Sequence, residues 1–140
     1  NVGYDIRIIS NSITNLVCPT LKTLSLANTN NSSSSHIIIL NNARLSEIEF
    51  PILQAIGNTT STCPPAMFPT AYLTISITNN NLNSKAVDNL LQDFANLDVP
   101  LRCRRIIIQQ PAPFNAAPPS LEGDIWKQKL LANNNLIYTD

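Results

Sequence analysis

Charged residues, glycine and histidine are all scarce in this chain. Asp, Glu, Lys and Arg make up 13% of its 140 residues, whereas ordinary soluble domains carry about 25%. Nine basic side chains balance nine acidic ones, so the net charge attracts neither nucleic acid nor an anionic membrane surface. Three glycines cannot supply a Gly-rich phosphate loop, and the single histidine, His36, is a poor basis for a catalytic triad or a zinc site.

Asparagine, serine and threonine supply the polar surface instead. They number 19, 12 and 11, which is 42 of the 140 residues. Such side chains stabilise tight turns by bonding their own backbone, and asparagine tolerates left-handed conformations. Apolar residues reach 44%, enough for a buried core in a single domain, residues 1–140. No apolar run approaches the ~18 residues of a membrane-spanning helix, so we expect no membrane insertion. Because the first residue is Asn1, we expect a processed protein or a fragment of a longer polypeptide.

The apolar residues of the N-terminal half follow a pattern that recurs at an offset of 32 residues. Seven apolar pairs and one proline pair fall in register at this offset. Evenly spaced apolar positions with turn residues between them are typical of a solenoid, whose repeats bury their apolar face by stacking on neighbours. The pairs are Ile6 with Ile38, Ile8 with Leu40, Ile13 with Leu45, Leu16 with Ile48, Cys18 with Phe50, Pro19 with Pro51, Leu21 with Leu53 and Leu24 with Ile56.

In the C-terminal half the apolar period changes from about 2 to about 3.6 residues, which indicates helices between strands. Ser84 and Ser120 are suitable N-cap residues, and Asn133-Asn134-Asn135 can end the second helix in a left-handed conformation. We divide the domain into short non-helical coils (1–57), a loop insertion (58–67) and a closing strand–helix–strand–helix–strand unit (68–140). The second helix should carry its apolar positions at Leu121, Ile125, Trp126, Leu130 and Leu131, and strands near residues 6–8, 24–26, 37–40, 73–77 and 106–108 should lie parallel in one sheet.

Few side chains are arranged for catalysis. Glu47 and Glu49 lie two residues apart and should share a solvent-facing side of a strand, while Asp88 and Asp93 should lie on the surface of the first helix. The cysteines lack metal-binding spacing. Cys18 aligns with Phe50 and is expected to be a small buried apolar residue. A disulfide between Cys63 and Cys103 stays open as an alternative and would leave Cys18 free.

Two segments resemble the leucine-rich repeat. Leu21-x-x-Leu24-x-Leu26 matches its opening, and Ile75-x-Ile77-x-x-Asn80-x-Leu82 matches its core pattern, as does Ile6-x-Ile8-x-x-Asn11-x-Ile13. The stretch from Asn80 to Asp140 resembles the closing unit of leucine-rich-repeat-like domains in bacteriophage virion proteins and bacterial surface proteins. The resemblance implies an α/β fold, an irregular leucine-rich-repeat-like right-handed solenoid with a parallel sheet and two C-terminal helices, in which the Asn side chain bonds backbone groups of the turn.

The same resemblance implies a structural protein of a virus particle, either a capsid decoration or a tail-fibre component, that works through protein–protein contacts. The alternative is an adhesion module that is secreted or lies on a bacterial cell surface. An enzyme is the least favoured class. We expect no cofactor and no nucleic acid, and partners that are other virion proteins, copies of this chain, or a host receptor or glycan. Contacts should fall on loops 28–35 and 57–66, and the candidate interaction residues are Asn30, Asn31, Ser32, Asn58, Thr59, Thr60, Arg102 and Arg104.

Overall fold

The protein is α/β, with a mostly parallel sheet and two helices. The computed structural model describes residues 6–24, 37–56 and 73–140. Every strand pairing within these ranges is parallel. The elements, in chain order, are β1 (Ile6–Ile9), β2 (Asn15–Val17), β3 (Thr23–Leu24), β4 (Ile37–Leu40), β5 (Glu47–Glu49), β6 (Ala55–Ile56), β7 (Leu73–Thr78), α1 (Ser84–Ala95), β8 (Arg104–Gln109), α2 (Leu121–Leu131) and β9 (Leu136–Thr139).

The strands form one large sheet and two small ones. The large sheet has the order β1-β4-β7-β8-β9, and the small sheets pair β2 with β5 and β3 with β6. The chain therefore repeats itself: residues 6–24 (the first repeat) contribute one strand to each sheet, and residues 37–56 (the second repeat) contribute the next. In the later part, α1 and α2 each connect neighbouring parallel strands of the large sheet.

The register confirms the 32-residue offset in the small sheets and corrects it in the large one. Leu16 pairs with Ile48, and Leu24 pairs with Ile56. Ile6, however, pairs with Ile37 and not with Ile38. The second repeat has one more residue between its first two strands, so the offset is 31 before that point and 32 after it. A slip of one residue exchanges the two faces of a strand, and Ile37 and Ile39 are therefore the buried residues of β4, while Ile38 and Leu40 are half-buried.

The predicted single sheet is correct for four of its five strands. The strands near residues 6–8, 37–40, 73–77 and 106–108 do lie parallel in the large sheet. The strand expected near residues 24–26 is not in this sheet at Leu24, because Thr23–Leu24 pairs with Ala55–Ile56 in a separate small sheet, and residues 25–26 lie outside the described residues. Each repeat places its three strands in three different sheets, so β3 does not join the large sheet.

Both helices begin with a side-chain cap. Asn83, and not Ser84, caps α1, because its Oδ1 accepts a hydrogen bond from the Ala86 backbone N–H at 2.9 Å. The Ser120 hydroxyl caps α2 as predicted, and Asn134 takes a left-handed conformation after α2 with φ of 59°. α1 buries a full apolar face against the second repeat, where the Phe50 and Phe94 rings stack with centroids 6.3 Å apart.

The second helix is oriented differently from the prediction. Leu130 is buried, but Leu121 is 89% exposed and Ile125 is 65% exposed. The reason is the packing of α2 on α1, in which Gly123 is buried and lies against Asp88. This contact fixes the rotation of α2 about its axis and turns Leu121 and Ile125 toward solvent.

Non-glycine residues in the left-handed conformation follow three of the five strands of the large sheet. Ser10, Asn41 and Asn79 occupy the same place after β1, β4 and β7, with φ of 54°, 58° and 56°. Asparagine is among the few residues besides glycine that adopt this conformation readily. The abundance of asparagine thus accounts for a chain that turns often with only three glycines.

Candidate functional site

The most organised polar feature is a ladder of side chains that crosses the large sheet. Asn11, Asn42, Asn80, Gln110 and Asp140 follow β1, β4, β7, β8 and β9, and we call these five residues the polar ladder. Each backbone N–H donates to the side-chain oxygen of the next member, at 2.8, 3.2, 2.7 and 2.8 Å in order along the sheet. The ladder thus joins all five strands at the ends where they leave the sheet.

The ladder also bonds backward, from each side-chain amide to the strand before it. The acceptor is always the carbonyl oxygen that lies three residues before the preceding member of the ladder. These second bonds tie each repeat to its predecessor, so the amides set register as well as stability. The donors and acceptors are Asn42 Nδ2 with Ile8 O (3.1 Å), Asn80 Nδ2 with Ile39 O (2.9 Å) and Gln110 Nε2 with Ile77 O (3.4 Å).

Asn135, which lies just after α2, also uses its side-chain amide to bond backbone groups. Asn135 is 3% exposed, and its Oδ1 accepts from the Arg104 backbone N–H at 3.0 Å. Its Nδ2 donates to the Leu101 and Leu130 carbonyl oxygens at 2.9 and 2.8 Å. Four buried amide side chains, Asn42, Asn80, Gln110 and Asn135, therefore satisfy backbone groups of neighbouring strands and turns, as the leucine-rich-repeat resemblance implies for Asn80.

A polar groove of about 410 Å³ runs between the β2–β5 sheet and the start of α1. Glu47 and Glu49, which lie on the same side of β5, form one wall of the groove. Asn83, the N-cap residue of α1, and Lys85 in the first turn of this helix form the other wall. Asn15 Nδ2 donates to Glu47 Oε2 at 2.7 Å across the two strands. Carboxylate, amide and ammonium groups on one open surface can bind polar groups of a protein or a glycan. The lining residues are Asn15, Ser46, Glu47, Glu49, Asn83, Lys85, Ala86 and Asn89.

The two aspartates of α1 hold the helix to its neighbours and are not ordinary surface residues, which corrects the sequence prediction. Asp93 Oδ2 accepts from the Phe50 backbone N–H at 3.3 Å. Burial raises the pKa of Asp93 above its ordinary value of 3.8; the hydrogen bond from Phe50 lowers it, and nearby Glu49 adds to the rise. Asp88 Oδ1 accepts from the Ser120 backbone N–H at 2.9 Å and so links α1 to the cap of α2.

The candidate interaction residues divide into two groups. Arg102 is exposed, but Arg104 is 8% exposed, and burial lowers the pKa of its guanidinium group. Strand alternation in β8 turns Arg105 outward instead, where its guanidinium lies 5.3 Å from the centroid of the Tyr138 ring. Arg104, which the sequence analysis gives as a candidate interaction residue, is therefore buried and does not offer an exposed charge to a partner. The other candidates lie outside the described residues: Asn30, Asn31, Ser32, Asn58, Thr59 and Thr60.

The cysteines are in different states. Cys18 is a free thiol, half-buried against the core in register with Phe50, and burial raises its pKa. Cys103 is disulfide-bonded. The remaining cysteine of the chain, Cys63, lies outside the described residues. Cys103 is thus part of a disulfide, whereas Cys18 keeps a free thiol and packs against the core.

Sequence reasoning missed the middle of the polar ladder. Asn42 follows Ile37-x-Ile39 in the same pattern as Asn11 and Asn80, and the register slip hid this match. Counting back five residues from each asparagine to the first inward-facing isoleucine would have found it. The groove had no comparable signal, because its two walls are far apart in sequence.

Over residues 6–24, 37–56 and 73–140, no group of three or more His, Cys, Asp or Glu side chains is placed to hold a metal ion. Neither of the helices described is long and apolar enough to span a membrane. Comparison with family models finds no match, and comparisons with curated proteins and with solved structures find none either.

Proposed function

We propose that this chain is a non-catalytic structural and interaction protein of a virus particle, a capsid decoration or tail-fibre component that works through protein–protein contacts. We also propose that its repeats form an irregular leucine-rich-repeat-like right-handed solenoid. The observation that carries the proposal is that the four buried amide side chains all form hydrogen bonds with backbone groups of adjacent strands and turns. Such a framework is rigid and offers broad faces to partners.

The polar groove and the exposed arginines are the surfaces that this function would use. The groove lies along β5 and the start of α1, and Arg105 lies on β8, so a partner would meet a preformed surface there. Arg102 lies in the segment just before β8. Their side chains are polar or charged without a large excess of one sign. Contacts of this composition are common at the rim of protein–protein interfaces.

The test is the location of the protein in its native source. Particles purified by density gradient should contain the chain at a fixed ratio to the major capsid or fibre protein, measured by quantitative mass spectrometry. Recombinant domain added in excess should compete with the native protein during assembly or attachment, and a Glu47→Ala, Lys85→Ala double variant should compete less. A chain that is absent from purified particles would contradict the proposal.

A second candidate is the secreted or cell-surface bacterial adhesion module. The disulfide of Cys103 favours it, because disulfides persist in oxidising compartments outside the cytosol and on exposed surfaces. The same fractionation separates the two candidates. Recovery in the cell-envelope or culture-medium fraction of an uninfected bacterium would support the adhesion module and would exclude the virion protein.

A further inference from the structure

The outer face of α2 carries two large apolar side chains that are exposed to solvent. Leu121 is 89% exposed and Ile125 is 65% exposed, and no other large apolar side chain in residues 6–24, 37–56 and 73–140 is as exposed. They lie one helical turn apart and therefore on one side of α2. The elements that α2 contacts, α1 and β9, lie with it in residues 73–140, which the structure describes without a gap. The open face is thus a property of a fully described part of the chain.

Charges of opposite sign lie at the two ends of this apolar face. Glu122 precedes Ile125 by three residues and Lys129 follows it by four, so both border Ile125 on the same flank, two turns apart, and both are exposed. Within the described residues, the Glu122 carboxylate has no hydrogen-bond or ion-pair partner. Lys129 Nζ donates to Asn96 Oδ1 at 2.8 Å and lies 5.6 Å from the centroid of the Trp126 ring. Both of these groups are neutral, so neither charge on the face is balanced.

We propose that this face is the contact of a reversible homodimer, in which α2 packs antiparallel to α2 of a second copy about a twofold axis near Ile125. A twofold contact joins the same patch on both subunits and requires a patch that is complementary to itself. In the antiparallel arrangement, Glu122 of each copy lies beside Lys129 of the other, and the apolar side chains of the two copies cover each other. The inference goes beyond the proposed function and does not depend on where the protein acts.

The charge pattern is what favours a second copy over another occupant. A partner protein or another segment could cover Leu121 and Ile125 with any arrangement of charges. Only self-association requires both signs on one flank, placed on either side of the apolar pair. In a parallel pair the same ends would meet, and Glu122 would lie level with Glu122 of the other copy, so the pattern also selects the antiparallel direction.

The contact should be weak, because two apolar side chains per copy cover much less surface than a permanent dimer buries. We expect a dissociation constant of about 0.1 mM. Sedimentation equilibrium between about 10 μM and 1 mM spans this value, and the average mass should rise from one chain toward two. Salt at about 1 M should lower the association, since it screens exposed charges.

Apolar variants locate the contact. Leu121→Gln and Ile125→Gln each replace an exposed side chain, so the monomer should keep its fold, while association should weaken by about tenfold. The matched control is Ile52→Gln, which changes an apolar side chain that is 40% exposed in the second repeat. This control should dimerise like the unmodified protein.

A charge exchange tests the antiparallel pairing. Glu122→Lys and Lys129→Glu each place like charges opposite one another at both contacts, and each variant alone should associate about tenfold more weakly. An equimolar mixture of the two variants should recover the association, because the mixed pair joins opposite charges at both contacts. Recovery also shows that both variants are folded, although Lys129→Glu loses the hydrogen bond to Asn96.

Four outcomes would overturn the inference. They are a protein that stays monomeric up to about 1 mM, association that Leu121→Gln and Ile125→Gln leave unchanged, a mixture of charge variants that associates no better than either alone, and a different protein that covers this face while the chain is monomeric. Dimers of a chain that is absent from purified particles would support this inference and contradict the proposed function. A monomeric chain at a fixed ratio in particles would do the reverse.

Discussion

Asn42 and Asn80 are joined by two hydrogen bonds to a single oxygen. Oδ1 of Asn80 accepts from the backbone N–H of Asn42 at 3.2 Å and from its Nδ2 at 3.0 Å. Both residues are 0% exposed, so water cannot replace a lost partner. The pair couples β4 to β7 at a place where the chain leaves the sheet. Register and stability therefore depend on the same few atoms.

Replacing Asn80 by alanine should lower the free energy of unfolding by about 3 kcal/mol, because each buried polar group left without a partner costs about 1–3 kcal/mol. The change removes the acceptor for two donors of Asn42 and the donor for the Ile39 and Thr78 carbonyl oxygens. Urea unfolding followed by circular dichroism measures the effect. The control is Asn81→Ala at the next, exposed position, which should stay within about 0.5 kcal/mol. Equal midpoints for the two variants would contradict a structural role of the ladder.

Leu90→Asp should destabilise the protein far more than Asp88→Ala. Leu90 is 0% exposed in the core, and an unpaired charge there costs several kcal/mol. Asp88→Ala loses the hydrogen bond from the Ser120 backbone N–H, which contributes about 1 kcal/mol. Thermal melting should thus rank the unmodified protein above Asp88→Ala and both well above Leu90→Asp. Matching melting temperatures for the two variants would show that the buried face of α1 is misassigned.

Most of the fold could be predicted from local patterns. The apolar period located both helices and most of the strands, and the repeat offset gave the correct register of the small sheets, because stacked repeats must place apolar residues over apolar residues. The error at β4 has a physical cause: Ile37, Ile38 and Ile39 are chemically identical, so composition cannot tell which of them faces the core. Only the bonds that Asn42 makes fix that choice.

The candidate site was harder to predict, because it depends on how distant segments pack. The rotation of α2 follows from the contact of Gly123 with Asp88, 35 residues away in sequence, and that rotation exposes Leu121. The groove likewise joins β5 to the first turn of α1. No periodicity reports such contacts, whereas the residue types that build the polar ladder were visible in the sequence from the start.

Gly123→Ala should destabilise the protein although alanine is the better helix former by about 1 kcal/mol. A Cβ at this position would overlap Oδ1 of Asp88 and would lie 2.9 Å from Cβ of Pro119. Relieving such overlap costs about 1–3 kcal/mol. Differential scanning calorimetry should show a lower melting temperature, part of which a second change, Asp88→Ala, should restore. The matched control in the same helix is Gln128→Ala at an exposed position, which should have little effect.

The stability of the protein should depend on pH through Asp93. Burial raises the pKa of Asp93 in the folded state above its ordinary value of 3.8, so the folded state binds the proton more tightly than the unfolded chain. This contribution to stability is present below the ordinary pKa and is lost as pH rises through the folded-state pKa. Asp93→Asn cannot titrate and keeps an oxygen acceptor for the Phe50 N–H. Its stability relative to the unmodified protein should therefore increase from about pH 3 to about pH 7.

Urea unfolding across this pH range measures that difference. The control is Asp98→Asn, which removes an exposed carboxylate of the same charge from the segment after α1. If Asp93→Asn and the unmodified protein differ by a constant amount at every pH, burial does not govern the titration of Asp93.

Reduction of the Cys103 disulfide should destabilise the fold. A disulfide restricts the unfolded chain and typically contributes about 2–4 kcal/mol, so a reducing agent should lower the urea midpoint of the unmodified protein. Cys103→Ser should show the same lower midpoint with or without the reducing agent. Cys18→Ala is the matched control, because Cys18 is a free thiol and its loss should leave the response to reduction unchanged. A midpoint that does not respond to reduction would remove the support that this bond gives to a site of action outside the cytosol.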